Sequence, residues 1–135
     1  MSVTVNKQVT HGMLVIDLVG TAVAAGCLGS VANPEGVPVL ITGAFLYVIT
    51  GATGAATLQV GVGALAAASS DMNNALAINA TAGTCWSGFH GVAANAEMST
   101  PAYWTAATYL NFTSAAAATT GFTAKYFVEY VRLTD

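Results

Sequence analysis

The sequence predicts an all-β domain, a jelly-roll-like antiparallel β-sandwich or barrel. Several stretches alternate in side-chain character with a period of two, and clusters of glycine, asparagine and proline separate them. Helical periodicity matches poorly along the whole chain. The 135 residues are enough for one domain with a sizeable core. We therefore predict a single β-sandwich domain over residues 11–135, preceded by an N-terminal arm over residues 1–10.

The composition is unusually poor in charge. Apolar residues make up 55% of the chain and charged residues 7%, against roughly 25% charged residues in an ordinary soluble domain. The net charge is −3, and three basic residues, Lys7, Lys125 and Arg132, form no patch for a phosphate backbone. We expect no nucleic-acid partner. Weak charge repulsion instead favours a protein whose surface is covered by other protein.

Residues 13–29 resemble an export signal that ends at Cys27. Asp17 opposes this interpretation, because a charge in the apolar region costs roughly 2.5 to 3.5 kcal/mol on insertion. The alternation favours a β-strand. One face of that strand holds Leu14, Ile16 and Leu18, and the other holds Met13, Val15, Asp17 and Val19. No other stretch is apolar for about 18 residues without interruption, so we predict no membrane span.

Residues 37–64 predict a β-hairpin without a charged residue. Residues 37–50 alternate as one long strand, with both faces apolar. The predicted faces are Val37, Val39, Ile41, Gly43, Phe45, Tyr47 and Ile49 against Pro38, Leu40, Thr42, Ala44, Leu46, Val48 and Thr50. "GATGA" supplies turn glycines, and the alternation resumes at Leu58. A strand pair that is apolar on both sides needs a second cover, which a symmetric oligomer supplies.

The second half of the chain predicts three further strands. Residues 65–83 show no regular alternation, which predicts a loop. A short strand is predicted around Trp86. Residues 101–113 alternate as one strand, and "SAAAATTG" predicts a hairpin loop. The last strand carries Phe122, Ala124, Tyr126, Val128 and Tyr130 on one face, with Lys125 and Glu129 on the other.

No group of residues indicates catalysis or metal binding. His11 and His90 are the two candidate bases, and neither stands in a recognisable motif. Cys27, Cys85 and the two histidines lack the paired short spacings of a zinc site, so two reduced, partly buried thiols are favoured. The carboxylates are scattered. We therefore predict no enzyme activity, no cofactor and no metal.

Four aromatic residues in the second half could stack on a sugar, as aromatic faces do in lectins: Trp86, Phe89, Tyr103 and Trp104. Packing in the core or at a subunit interface is the favoured alternative. We predict that the oligomer interface includes Tyr47, Trp86 and Trp104.

The stretch "VANPEGVPVLITGAFLYVITGATGAATLQVGVGALA" at residues 31–66 and the ending "KYFVEYVRL" resemble the capsid decoration, or cement, proteins of tailed bacteriophages. This resemblance implies a jelly-roll-like fold without catalysis, and trimers bound to the major capsid protein on the outer surface of the head. It implies a virion protein made in the host bacterial cytoplasm. Several such proteins reach a neighbouring capsid subunit through an N-terminal extension. Here that role would fall to Ser2, Val3, Thr4, Val5 and Asn6.

Two other functions compete with this interpretation. A phage tail, fibre or baseplate β-module would bind a host-surface receptor or glycan through Trp86 or Trp104. A small cupin-type enzyme would need a histidine cluster around a metal, and two histidines distant in sequence argue against it.

Overall fold

A computed structural model describes residues 11–87 and 102–133 of the chain. The predicted arm, residues 1–10, lies outside the described residues, as do Phe89 and His90. Nine strands occur in the described part: β1 His11–Val19, β2 Gly26–Ala32, β3 Val39–Thr50, β4 Thr57–Gly63, β5 Asn73–Ala77, β6 Cys85–Ser87, β7 Ala102–Trp104, β8 Tyr109–Ala115 and β9 Thr123–Arg132. Over the same residues no helix has the length and apolar character needed to cross a bilayer.

The strands form two antiparallel sheets that pack face to face. The first sheet has the order β1-β9-β3-β6, and β7 pairs with β3 on the same side as β6. The second sheet has the order β2-β8-β4-β5. Most consecutive strands lie in opposite sheets, which gives a jelly-roll sandwich. The prediction of an all-β, jelly-roll-like sandwich is confirmed.

The core lies between the two sheets and is built from large side chains. Leu46 and Tyr126 of the first sheet are fully buried, as are Leu58 and Phe112 of the second. The Phe112 and Tyr126 rings meet edge to face across the sheets, with centroids 5.1 Å apart. Burying each such side chain contributes about 1.5 to 3 kcal/mol relative to exposing it. The side chains that alternate with these buried ones point outward, so the burial of the core residues decides which face of each sheet is exposed.

The first and last strands follow the predicted alternation. The five residues predicted to share one face of the last strand, from Phe122 just before β9 to Tyr130 at every second position, are all buried, and Glu129 on the other face is exposed. In β1, Met13, Val15 and Val19 are exposed on the outer face. β1 pairs with β9 without a register shift from His11 to Val19, so the period of two persists over the whole strand.

A β-bulge interrupts the alternation that was predicted for β3. Ile41 pairs with Tyr130, but Gly43 pairs with Glu129, so Thr42 is the extra residue. The buried positions are Val39 and Ile41 before the bulge and Ala44, Leu46 and Val48 after it. The single uninterrupted alternation over residues 37–50 was therefore wrong, because one extra residue exchanges the two faces.

The predicted hairpin at residues 37–64 does not form, because β3 and β4 lie in different sheets. Residues 51–56 cross one end of the core instead. The Ala52 amide donates to the Ile78 carbonyl at 2.8 Å, and the Thr53 amide donates to the Thr120 carbonyl at 3.1 Å. Ala52 and Ala56 are buried. Small residues suit this crossing, since it passes directly over packed side chains.

Three other predictions in the second half need correction. Residues 101–113 hold two strands, β7 and β8, in different sheets, and residues 105–108 turn between them. "SAAAATTG" crosses from β8 of the second sheet to β9 of the first, so it is not a hairpin loop. The predicted loop at residues 65–83 contains strand β5.

Candidate interaction surface

The outward face of the first sheet carries a continuous group of exposed apolar side chains. We call this surface the apolar outer face. It comprises Met13, Val15 and Val19 of β1, Phe45, Tyr47 and Ile49 of β3, and Tyr103 of β7, which are 38% to 65% exposed. Seven of the ten exposed large hydrophobic residues in the described part of the chain therefore lie on one side of the molecule.

A row of three side chains crosses the middle of the apolar outer face. The strand register places Val15 of β1 beside Phe127 of β9, and Phe127 beside Phe45 of β3. The two phenyl rings stack with centroids 4.4 Å apart and an interplanar angle of 13°. Cross-strand aromatic pairs stabilise a sheet by roughly 0.2 to 1 kcal/mol. The row is therefore a firm apolar ridge against which another surface can pack.

One ion pair lies next to this ridge. Lys125 Nζ is 2.6 Å from Asp17 Oδ1, and the two side chains are 42% and 73% exposed. In the strand register Lys125 is also the neighbour of Tyr47. Exposed pairs of this kind contribute at most about 1 kcal/mol. The pair thus neutralises two charges on the apolar outer face more than it stabilises the fold.

A shallow cleft of about 350 Å³ lies at the end of the same face where β1 begins. Its walls are His11, Gly12, Met13, Thr42 and Glu129. The bulge in β3 places Gly43 opposite Glu129, and a Cβ atom at Gly43 would lie 3.3 Å from Glu129 Oε2. Because Gly43 has no side chain, its position on β3 does not cover the Glu129 carboxylate.

The outward face of the second sheet is different, because a loop of the same chain covers it. Asn111 of β8 is fully buried on that side. Its amide donates to the Ala64 carbonyl at 2.8 Å and its oxygen accepts from the Ser30 hydroxyl at 2.6 Å. A Cβ atom at Gly61 would lie 2.1 Å from Asp71 Oδ1, so the loop rests directly on that glycine. The apolar outer face has no such cover among the described residues.

The open end of the sandwich near β9 is closed by the "NPEG" turn at residues 33–36. Asn33 Oδ1 accepts from the Glu35 amide at 2.9 Å, and Gly36 adopts a positive φ of 68°. The Tyr130 hydroxyl donates to Glu35 Oε1 at 2.7 Å, and Arg132 Nε lies 3.6 Å from Glu35 Oε2. Burial, followed by the bond to Glu35, raises the pKa of Tyr130 to about 12.

A second buried tyrosine joins the two sheets. The Tyr126 hydroxyl of β9 donates to Asn73 Oδ1 of β5 at 2.5 Å. Burial and the nearby carboxylate of Asp71 raise the pKa of Tyr126 far above its usual range, so the phenol stays neutral. Both of these polar contacts are parts of the fold, since each links one sheet to a loop or strand of the other layer.

The predicted interface residues do not lie together. Tyr47 is 39% exposed on the apolar outer face, as an interface residue would be. Trp86 pairs with Leu46 on the inward side and packs against the core. Trp104 is fully buried, and its Nε1 donates to the Thr108 carbonyl at 3.0 Å. Trp104 therefore has no surface to offer a partner subunit or a stacked sugar. Ser2, Val3, Thr4, Val5 and Asn6 lie outside the described residues.

Sequence reasoning missed most of the apolar outer face, although one signal pointed to it. Residues 37–50 are apolar on both faces, and that pattern predicted the need for a second cover. The bulge hid which residues would turn outward. Met13, Val15 and Val19 were assigned to one face of β1, but the sequence could not tell which face was inside.

The described residues hold no group of three or more histidine, cysteine, aspartate or glutamate side chains that could bind a metal. Cys27 and Cys85 are both free and exposed, and they lie in different sheets. The prediction that both thiols are partly buried was wrong. Cys27 is an edge residue of β2, and Cys85 faces outward from the short strand β6.

The comparisons with known proteins give one similar structure. No family model matches the chain, and a search of curated proteins finds no match. Among solved structures, the chain is similar to a chain of the capsid of Ralstonia phage GP4, with a TM-score of 0.54 and 22% identity. The match covers 100% of this chain and 92% of that one. At this identity the likeness shows a shared fold over the full length.

Proposed function

We propose that this protein is a capsid decoration, or cement, protein that binds the outer surface of a phage head as a homotrimer and stabilises it. Its partners are its own copies and the major capsid protein. Its location is the head surface of the virion, after synthesis in the host bacterial cytoplasm. No cofactor, catalytic residue, nucleic acid or membrane has a part in this role.

The apolar outer face is the observation that carries the proposal. The first sheet has four strand positions side by side, each about nine residues long, and their combined area is roughly 600 Å². A stable interface buries about 800 Å² on each partner. The face is therefore close to the size of a complete protein interface. Its apolar ridge suits contact with protein better than contact with water, and so does the pairing of Lys125 with Asp17, which neutralises both charges.

The similar fold supports a place in a virion. The chain with which this one aligns comes from a phage capsid structure and has almost the same length. The sequence resemblance to decoration proteins points the same way. A protein that binds the assembled shell but not the free capsid subunits stabilises the shell by linkage, because its binding free energy is added to the assembled state.

The N-terminal arm supplies a second contact in this proposal. Ser2, Val3, Thr4, Val5 and Asn6 are polar or β-branched, which suits addition as a strand to an exposed sheet edge on a capsid subunit. Main-chain hydrogen bonds then provide affinity and alternate side chains set the register. In this proposal the arm binds a capsid subunit, while the apolar outer face joins the copies of the trimer.

The arm is tested by deleting residues 1–10. We expect a folded oligomer that binds purified capsids at least tenfold more weakly, measured by co-sedimentation of the labelled protein with particles. Capsid binding equal to that of the full chain would refute the role of the arm. The full chain is the control in the same gradients.

The position on the particle is tested by imaging intact virions that carry the labelled protein. Density on the outer head surface with three-fold symmetry supports the proposal. Label on the tail, fibre or baseplate would overturn it in favour of a tail module. The glycan version of that rival already loses Trp104 as a stacking residue, because the indole is buried in the core.

A further inference from the structure

Strand β1 lies at one edge of the first sheet. It pairs with β9 on one side, and no strand of the described residues pairs with it on the other. Just beyond the strand, the Gly20 amide donates to the Phe122 carbonyl at 2.8 Å. Because bonded and non-bonded pairs alternate in an antiparallel ladder, the even-numbered residues of β1 are then the ones that bond to β9. The odd-numbered residues, from His11 to Val19, therefore point their amide and carbonyl groups away from the sheet.

The other edge strands of the described sandwich are short or irregular. β2 has a register shift between Cys27 and Gly29, and the five residues of β5 include Ala75 at a positive φ of 54°. β6 and β7 have three residues each. Bulges and short length keep an edge strand from pairing with another chain. Among these edges, β1 alone combines nine residues with an unshifted register, so it is the one suited to accept a further strand.

We propose that β1 pairs antiparallel with β1 of a second copy of the chain, about a two-fold axis at Val15. Val15 is the middle residue of His11–Val19, so this register uses the whole strand of each copy. It forms about ten main-chain hydrogen bonds, two for each outward-pointing pair. The first sheets of the two copies then become one continuous sheet.

The side chains on the inward face of β1 favour a second copy as the occupant. Leu14 and Ile16 pack at the margin of the core and are only half-buried. A two-fold axis at Val15 places Leu14 of each copy opposite Ile16 of the other, in the closer type of cross-strand pair. Each copy thus covers the apolar groups that the other leaves half-exposed.

The side chains on the outward face fit the same axis. The apolar ridge ends at Val15 on the edge of the sheet, and the axis joins it to the ridge of the second copy. Asp17 of each copy lies opposite Met13 of the other. The two Asp17 residues are then four positions apart along the strands, or about 13 Å, and each keeps Lys125 as its counter-ion at 2.6 Å. No like charges meet in this register.

This strand pairing is a contact additional to the proposed trimer interface, because it uses main-chain groups at the edge of the sheet. One pair of strands buries less than the roughly 800 Å² per partner of a stable interface, so it forms where copies are held close together. On the proposed shell it would link copies of adjacent trimers. That placement rests on the proposed function, whereas the pairing itself does not.

Cross-linking of cysteine variants tests the register. Cys27→Ser and Cys85→Ser first remove the two exposed native thiols. Val15→Cys then places two thiols opposite each other, with Cα atoms about 5.5 Å apart, within the range for a disulfide. The matched control is Met13→Cys, because Met13 and Val15 are 55% and 53% exposed on the same face. At high protein concentration, we expect diamide to cross-link Val15→Cys roughly tenfold faster than Met13→Cys.

Equal rates for the two variants would overturn the proposal and would leave this edge to a strand of another protein. A second measurement mixes Met13→Cys protein with Asp17→Cys protein, since these positions are opposite each other in the proposed register. Mass spectrometry should show mixed dimers in excess of their statistical share. Mixed dimers at or below that share would overturn the antiparallel register about Val15.

Val15→Pro tests the main-chain contact by a separate route. The Val15 amide points away from β9, so proline removes a hydrogen bond to the second copy without removing one within the sheet. Added to both partners of the mixture, it should reduce mixed dimers to their statistical share, while circular dichroism confirms the strand content. An unchanged excess of mixed dimers would overturn the main-chain pairing. These assays contain no particles, so their failure leaves the proposed function standing, and loss of capsid binding leaves this pairing standing.

Discussion

At the end of the sandwich that residues 33–36 close, single residues stabilise the fold by packing closely against one another. The Tyr130 ring passes directly over Gly12, because a Cβ atom at Gly12 would lie 2.0 Å from Tyr130 Cζ. From that position the hydroxyl reaches Glu35 of the "NPEG" turn. One glycine, one phenol and one carboxylate therefore join β1, β9 and the loop between β2 and β3.

We expect Gly12→Val to lower the free energy of unfolding by about 2 to 3 kcal/mol. The new side chain must displace the Tyr130 ring, which overpacks the site and breaks the hydrogen bond to Glu35. Urea unfolding followed by fluorescence measures the change. The matched control is Gly29→Ala, since nothing lies within 4 Å of a Cβ atom there. A cost below about 0.5 kcal/mol for Gly12→Val would contradict this packing.

Tyr130 also makes stability depend on alkaline pH. Its folded pKa of about 12 is above the ordinary value of 10, so the unfolded chain releases this proton first. The stabilisation is complete below pH 10 and is lost as the pH rises through 12, with a slope of about 1.4 kcal/mol per pH unit. Tyr130→Phe should remove this part of the slope, measured by urea unfolding at several pH values.

The control for the pH experiment is Tyr103→Phe, which changes an exposed tyrosine of the apolar outer face. The alkaline slope of this control should equal that of the unchanged protein. Tyr126 adds its own loss of stability from about pH 10 upward in both proteins, because burial raises its folded pKa as well. A Tyr130→Phe slope identical to that of the unchanged protein between pH 10 and 12 would contradict the raised pKa of Tyr130.

At the scale of elements, the sequence predicted strands best where their alternation is uninterrupted. β1 and β9 pair without a shift over nine residues, and the two faces of each strand were predicted with the right residues, although not which face is buried. β3 was predicted as a strand but with the wrong faces after Thr42. Threonine and glycine are compatible with either side of a sheet, so nothing in the local pattern marks the bulge.

Connections between elements were the harder problem. The glycines of "GATGA" suit a tight hairpin and a crossing between sheets equally well. What decides between them is the position of distant partners, such as the Ile78 carbonyl that accepts from Ala52. Trp104 was placed at an interface for a similar reason, because its alternation with Tyr103 gives two aromatic faces and does not say which one is buried.

The cover on the second sheet depends on Gly61. We expect Gly61→Ala to cost about 1 to 3 kcal/mol, since the added methyl group meets Asp71 Oδ1 and Ser69 Oγ at 2.1 and 2.3 Å. Asp71 then no longer accepts from the Val62 amide, which it does at 2.9 Å. Hydrogen exchange should show faster exchange of that amide, and unchanged exchange there would contradict the prediction. Gly29→Ala is again the control.

On the scale of the whole molecule, the two outward faces have opposite characters. The second sheet is covered by residues 64–71 of its own chain, whereas none of the residues that the structure describes covers the apolar outer face of the first sheet. Only 7% of the residues are charged, so electrostatic repulsion does little to prevent this face from binding other protein molecules. Assembly through this face is the expected result.

We expect the double change Phe45→Ser and Tyr47→Ser to leave the fold intact and to weaken self-association at least tenfold. Both side chains are about 40% exposed, so the loss falls mainly on the interface. Light scattering after gel filtration measures the mass, and circular dichroism checks the fold. Leu65→Ser changes an exposed apolar residue of the covering loop and should keep the oligomer. An unchanged mass for the double variant would place the interface elsewhere.

The loop that covers the second sheet has a practical consequence. If one broad side of the sandwich rests on a partner, residues 64–68 point toward the surrounding medium, and four of these five positions are small alanines or a leucine exposed to water. A foreign peptide inserted there would be presented outward in every copy, in a dense and regular array. The loop over the second sheet is thus a suitable place to attach a foreign peptide.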